Sequence, residues 1–317
     1  KDFQSFAAQH GLAPAQESYN KEMNGVIDAQ VLSVPVPLPP GRKPLSTRIV
    51  VRQKSDGRLK SRFCVRGCHQ QHGVDYDETK TYAPVADRVS VRLLFALAAA
   101  LCCHIHTLDI NLAFLYGDLD EDIYVLPPPG YSFGYGRHGK LVSKLRKSLY
   151  GLKQAPRCFR IVLHGFILSL GFACCSGDAC VYFRRLDGVL TLLATHVDDI
   201  LIICSDLAVL ETLKTSFKDR FQVKDQGPIH GREFLGIEVD HDQSRGIVSL
   251  HCDRYLRTAL AAMGITVDTH YPAATPIVPP DKDAQPQPIS SLPSPPSFDL
   301  RKLSGILTYA STACRPD

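Results

Sequence analysis

Long apolar runs are missing from this chain of 317 residues: the longest, Leu93 to Cys103, has eleven residues and is too short to cross a bilayer. A basic-then-apolar leader is missing as well, and the first residue is Lys1 rather than Met, so the chain is expected to be a cytosolic-type fragment of a longer polypeptide. Neither sign of charge is in excess: 36 Lys and Arg stand against 32 Asp and Glu, a formal net charge of +4. A balance so mild does not by itself announce a polyanionic partner. The eleven cysteines include no CxxC pair with a matching second half, and most sit in apolar segments (Cys102, Cys103, Cys158, Cys180, Cys204), so buried free thiols are expected. Cys102, Cys103, His104 and His106 could be taken for a metal site, but alternate residues of a strand point to opposite faces and would scatter them. No internal repeat is visible. What is present is ordinary globular composition, 44% hydrophobic and 21% charged with 22 Gly and 22 Pro. Collagen-like, coiled-coil and wholly disordered chains are excluded, and the length suffices for two domains or one large domain with lobes.

Periodicity and turn residues divide the chain. Residues 1–30 read as a partly helical segment (Phe3, Phe6, Met23, Val26, Ile27), and residues 34–44, with five prolines, as an extended connector. A β-hairpin is expected over residues 48–66 and helices near 88–104, 155–170, 207–220 and 252–263. Strands are expected near 105–110, 180–184, 190–196 and 200–204, with a further segment from Phe234 to Val239. Residues 271–300 hold nine prolines and read as a linker, and Leu303 to Thr312 resume a helical pattern that belongs to something downstream.

The expected hairpin sorts its charge by parity. Its seven basic residues, Arg48, Arg52, Lys54, Arg58, Lys60, Arg62 and Arg66, all have even numbers, while Ile49, Val51, Leu59, Phe63 and Val65 are odd. Each strand therefore has one basic and one apolar face. For the basic faces to coincide, cross-strand partners must share parity. A two-residue loop at Asp56-Gly57 would break that rule; a three-residue loop Ser55-Asp56-Gly57 with Gly57 left-handed pairs Lys54 with Arg58 and Arg52 with Lys60. Directly opposed like charges destabilise a sheet, so their presence points to an anionic ligand such as phosphate; the bland alternative is a soluble surface strand.

A second feature is acidic. His196-Val197-Asp198-Asp199 lies between two apolar, β-branched runs, Leu190–Thr195 and Ile200–Cys204, and fits a tight hairpin. Adjacent acids between buried strands are costly unless something cationic neutralises them. Asp109 follows another apolar run, Ile105–Leu108, and if the strands are neighbours Asp109 and Asp198 converge at one sheet edge. Carboxylates together with substrate phosphates are what a pair of Mg²⁺ ions needs. Taken alone an Asp-Asp turn is weak, because solvated turn aspartates are common.

The ordered blocks Pro39–Pro44, Leu59–Gly67, Gly73-Val74-Asp75-Tyr76-Asp77-Glu78-Thr79, Tyr82–Val85, Leu108–Leu119, Ser148–Arg157, Val197–Ile202 and Phe234–Val239 together resemble the reverse transcriptase of copia-type LTR retrotransposons over nearly the whole chain. The resemblance implies an α+β right-hand polymerase with fingers, an antiparallel-sheet palm and a helical thumb. It divides the chain into an N-terminal segment and connector at 1–44, fingers and palm at 45–245, a thumb helix region at 246–270 (Cys252 to Met263 being the helix), the linker at 271–300, and the start of a connection toward a ribonuclease H domain at 301–317. Asp109, Asp198 and Asp199 would be the catalytic metal ligands for two Mg²⁺ ions, with Mn²⁺ as a substitute. Lys60 and Arg62 would hold the triphosphate. Phe114 would shield the sugar 2′ carbon and so favour deoxynucleotides, with a core Phe as the bland account. Tyr150 and Gly151 would line the incoming base pair and ribose, supported by Lys153. Phe234, Leu235, Gly236 and Ile237 would form the primer-gripping turn. The implied reaction is RNA-directed DNA synthesis, with an RNA or DNA template–primer duplex, dNTPs and other segments of the same polyprotein as partners, no membrane, and a cytoplasmic virus-like particle or the nucleus as location.

The chain departs from the family pattern in three places. His196 stands where the family has Tyr, and as a cation it would compete with Mg²⁺ for the carboxylates. Leu112 replaces a small or polar residue, and Trp is absent altogether. The alternative expectation is a catalytically impaired remnant that only binds nucleic acid or metal.

Overall fold

In the computed structural model, which describes residues 8, 11–54, 57–128, 134–136, 139–264 and 300–314, the chain divides into two units. The first holds residues up to Leu94 together with Cys103–Pro228, and the second Phe95–Cys102 together with residues from Ile229 onward. Phe3, Phe6, nearly all of the 271–300 linker and Arg315–Asp317 lie outside the described residues.

The first unit opens with helix α1 (Leu12–Asp28), whose Met23 and Val26 are buried. They meet the odd-numbered face of a hairpin, β1 (Thr47–Gln53) and β2 (Leu59–Val65), where Ile49, Val51, Phe63 and Val65 complete one apolar cluster. The hairpin register is the one parity demands: Arg52 faces Lys60, Lys54 N–H donates to the Arg58 carbonyl at 2.8 Å, and Gly57 sits at φ +81°. Helix α2 (Arg88–Ala100) stops four residues short of the expected end, because Cys102 turns left-handed at φ +47° and the chain enters β3 (His104–Ile110). Cys102 is exposed there, against the expectation of burial; Cys103, Cys158, Cys180 and Cys204 are buried.

Two short pairs follow, β4 (Tyr124–Val125) with β7 (Ser143–Lys144) and β5 (Tyr135–Gly136) with β6 (Gly139–Lys140). The remaining elements are α3 (Ala155–Ser169), β8 (Ala173–Cys174), β9 (Val181–Leu186), β10 (Val189–His196), β11 (Asp199–Cys204), α4 (Leu207–Arg220) and β12 (Val223–Pro228). Pro156 suits the first turn of α3, where its missing N–H costs nothing. Asp206 caps α4 by accepting from Val209 N–H at 2.9 Å. The strands form a six-stranded sheet in the order β12-β3-β11-β10-β9-β8, antiparallel at every pairing. One face carries Leu108, Ile110, Ile200 and Ile202, packed against Phe159 and Leu163 of α3 and Phe217 of α4. Each such side chain contributes about 2–3 kcal/mol by leaving water. Because side chains alternate, Asp109 and Asp199 fall on the other face.

The second unit contains a three-stranded meander, β13 (Arg232–Phe234), β14 (Ile237–Asp242) and β15 (Ile247–His251), followed by α5 (Asp253–Ala261) and α6 (Leu300–Ala313). α6 is held within this unit: the Tyr309 ring lies 4.4 Å from that of Tyr255, and its hydroxyl donates to the Leu235 carbonyl at 3.3 Å. Among the described residues no helix is long and apolar enough to cross a membrane.

Candidate active site

The acidic centre is built by register. β10 and β11 join through a two-residue turn, since His196 faces Asp199 and only Val197 and Asp198 lie between them. Val197 sits at φ +58°, a conformation that a β-branched residue adopts only under strain of order 1–3 kcal/mol. The turn is pinned from the side, where Ile110 N–H donates to the Asp198 carbonyl at 2.9 Å. β11 pairs with β3 so that Asp199 stands directly opposite Asp109. Opposed residues of an antiparallel pair share a face, so these carboxylates are neighbours, with Asp198 one position away at the turn.

Burial and crowding show in the proton affinities of Asp198 and Asp199. Burial, followed by Asp198 and Asp109, pushes the Asp199 carboxyl up to about 6, and Lys60 pulls the other way. Asp198 is also raised, mainly by burial and with Asp109 adding to it, while Lys60 and Arg62 oppose the rise. His196 moves below its ordinary value because it is buried, although Asp198 resists this, so the imidazole is neutral at neutral pH rather than the competing cation considered above. Among the described residues no group of three or more His, Cys, Asp or Glu side chains forms a ready cage for a metal ion.

The basic face of the β1–β2 hairpin meets these acids. Burial and Arg62 lower the Lys60 ammonium, and the fields of Asp109 and Asp198 support it. Arg62 has a buried Nε with no hydrogen-bond partner, and its guanidinium lies 5.6 Å over the Tyr150 ring. Tyr150 is a hub: its carbonyl accepts from Val65 N–H at 2.8 Å and its ring meets Phe114 edge-on at 5.0 Å. Phe114 rides on a short 3₁₀ turn, Ala113–Tyr116, and its carbonyl accepts from Gly117 N–H at 3.2 Å and from the Ser148 hydroxyl. Gly151, at φ +92°, is required by packing, because any Cβ there would collide with the Val65 carbonyl. Lys153 is tied elsewhere: its Nζ donates to the Tyr76 hydroxyl at 2.6 Å and its N–H to Gln70 Oε1 at 2.8 Å.

In the second unit, Phe234 and Ile237 face each other across Leu235 (φ +54°) and Gly236 (φ +80°), a type I′ hairpin turn. The Tyr309 hydroxyl stands where a Cβ on Gly236 would fall, so a side chain there would have to displace the Tyr309 ring.

Sequence reasoning missed Lys224, which stands opposite Asp109 on the other flank of β3. Val223–Pro228 is polar, ends in Gly-Pro and carries a bulge between Asp225 and Gly227, so it reads as a loop; only its place after an amphipathic helix hinted at an edge strand.

Fold and site define a mixed α/β protein in which antiparallel strands carry a cluster of carboxylates beside a basic hairpin. Comparison with known proteins narrows this. Residues 31–279 match the family described as reverse transcriptase (RNA-dependent DNA polymerase), and the chain belongs to that family, in its copia-type branch. It is 33% identical over 291 residues to the retrovirus-related Pol polyprotein from transposon TNT 1-94 of Nicotiana tabacum, covering 89% of this chain and 21% of that protein. It is 34% identical over 277 residues to the Pol polyprotein from transposon RE1 of Arabidopsis thaliana (84% and 18%), and 32% over 269 residues to that from RE2 (83% and 18%). The chain spans about a fifth of the length of the curated relatives it matches.

Proposed function

We propose that this chain is an RNA-directed DNA polymerase that adds deoxynucleotides to a primer 3′-hydroxyl. The observation that carries the proposal is the register: Asp109 faces Asp199, with Asp198 beside them, under Lys60 and Arg62. In this reading β1–β2 belongs to the fingers, the six-stranded sheet is the palm and α5 belongs to the thumb.

The site suits hard divalent cations. Its donors are carboxylate oxygens, those of Asp198 and Asp199 raised in proton affinity chiefly by burial, and Mg²⁺ is commonly held by one or two carboxylates plus substrate phosphates rather than by a protein cage. Asp109, Asp198 and Asp199 would hold two such ions, which when bound supply Lewis-acid stabilisation of the charge developing on the attacking and leaving oxygens. The rest falls to side chains of the chain. Lys60 and the unpartnered Arg62 Nε neutralise and orient the triphosphate. The Phe114 ring, held edge-on by Tyr150, occupies the space a 2′-hydroxyl would need, which favours dNTPs. The Phe234–Ile237 turn grips the primer strand. The duplex is held by its backbone and A-like shape, so binding falls steeply with salt.

A second reading, a remnant that binds but does not turn over, rests on the departures from the family pattern at His196 and Leu112 rather than on any charge at His196. Primer extension on poly(rA)/oligo(dT) with Mg²⁺ separates them. Incorporation that Asp198→Asn abolishes supports the polymerase; none from correctly folded wild-type protein supports the remnant.

A further inference from the structure

Helix α1 lies ahead of the residues matched by the family, 31–279, yet it reaches both elements that carry the proposed nucleotide contacts. β2 is one of only two strands in its sheet, and its outward N–H groups would be orphaned without other partners. α1 supplies them. Ser18 Oγ accepts from Ser61 N–H at 2.9 Å and lies 2.9 Å from the Ser61 hydroxyl; one turn on, Glu22 Oε1 accepts from Phe63 N–H at 3.0 Å. The two anchored residues bracket Arg62 and adjoin Lys60. Glu22 is only 7% exposed, a costly place for a carboxylate. A helix that merely covered the apolar face of the hairpin with Met23 and Val26 would need no acid against the β2 backbone.

The third contact is a vacancy for a side chain. A Cβ on Gly25 would stand 2.5 Å from Leu112 Cδ1, so glycine leaves Leu112 its seat. Leu112 is held at φ +55° and heads the turn that carries Phe114. Ser18, Glu22 and Gly25 follow at i, i+4 and i+7, a single face of the helix.

We propose that this face of α1 is a brace for the nucleotide site: Ser18 and Glu22 position Lys60 and Arg62 through β2, and Gly25 seats Leu112 so that Phe114 keeps its place at the sugar. The proposal rests on the polymerase reading. It extends that reading to residues outside the family match, and explains how Leu112, a departure from the family pattern, is accommodated.

The test uses Glu22→Ala, Glu22→Gln, and Gly25→Ala with and without Leu112→Ala, read by steady-state incorporation and by amide hydrogen exchange. Glu22→Ala should raise the KM for dTTP about tenfold with kcat within about threefold, and Glu22→Gln, which keeps an acceptor oxygen, should restore most of that loss. Gly25→Ala should lower the preference for dTTP over ribothymidine triphosphate about fivefold, and Leu112→Ala in the same chain should recover it. Exchange at the Phe63 amide should speed about tenfold in Glu22→Ala, with the β10–β11 amides unchanged. An unchanged dTTP KM in Glu22→Ala, or Phe63 exchange as slow as in the wild type, overturns the brace. An inert but folded wild type sinks the polymerase reading instead, and the exchange arm still decides whether α1 holds β2.

Discussion

The two faces of the six-stranded sheet treat charge in opposite ways. On the face covered by α4, Lys214 is 3% exposed but paired, with Glu211 at 2.9 Å and Asp225 at 3.2 Å, and Lys218 adds a second contact to Asp225 at 2.9 Å. Burial alone would raise Asp225, yet hydrogen bonds from Lys218, the Gly227 N–H and Lys214 hold it below the usual carboxylate value. On the other face Asp198 and Asp199 are raised, and neither they nor Asp109 form an ion pair among the described residues. A charge network closed on itself serves the fold. One left open, at a strained turn, is where a counterion from outside would relieve the cost, as the proposed function requires.

Closing the open face artificially is the largest expected effect. Asp198→Asn or Asp109→Asn should cut incorporation by about two to three orders of magnitude, the range found when preorganised charge stabilisation is removed from a reacting centre. The same substitutions should leave the protein as stable as the wild type, or more stable, when divalent ions are chelated, because they relieve repulsion. Single-turnover extension and urea unfolding measure the two halves, and a variant that loses activity only by unfolding would erase the contrast between the faces.

Opening the closed face should do the reverse. Lys214→Met leaves Glu211 and Asp225 without their shared cation, and since both acids are partly exposed the expected loss is about 2–3 kcal/mol of stability, below the full cost of breaking a buried pair. Urea midpoints check it, and nucleotide affinity should hardly change.

Titration sharpens the comparison. Burial and Lys214 push the His106 imidazole, on the α4 face, down to about 4. Between that value and the unfolded value of about 6.5 the unfolded chain binds the extra proton, so this face loses stability as pH falls through the window. Asp199, raised to about 6, behaves oppositely: the folded chain binds the proton first, so its contribution is lost as pH rises from about 4 to 6. Each term is about 1–2 kcal/mol after screening. In EDTA, His106→Leu should therefore flatten the acid loss, and Asp199→Asn should flatten the opposing rise. A single pH profile shared by both variants would refute the assignment.

Much of this was legible in the sequence, for identifiable reasons. Parity of the basic residues set the hairpin register, because alternation leaves no other way to keep Ile49 and Phe63 under one roof. The apolar run Ile200–Cys204 is short and rich in β-branched residues, which reads as a buried strand. Other features were not legible. Nothing local tells whether Asp198 or Asp199 faces Asp109, since that is decided by pairing over about ninety residues of separation. Glu22 reads as an ordinary solvent-facing helix residue, because the N–H it meets is 41 positions away. Lys224 was hidden in a strand without strand-like residues.

The smallest effect probes the turn between the two acids' strands. Val197 lines a cavity of about 260 Å³ with Pro84, Val85, Pro156, Phe159 and Leu163, so truncation costs packing whatever replaces it. Comparing Val197→Ala with Val197→Gly cancels most of that loss and isolates the backbone. At an ordinary φ alanine is the more stable of the two, because glycine has more freedom to lose on folding. At φ +58° the order inverts, and Val197→Gly should exceed Val197→Ala by about 1 kcal/mol in urea unfolding at an unchanged m-value. If alanine proves the more stable, the turn is not strained, and Asp198 is held by the bond from Ile110 to its carbonyl alone.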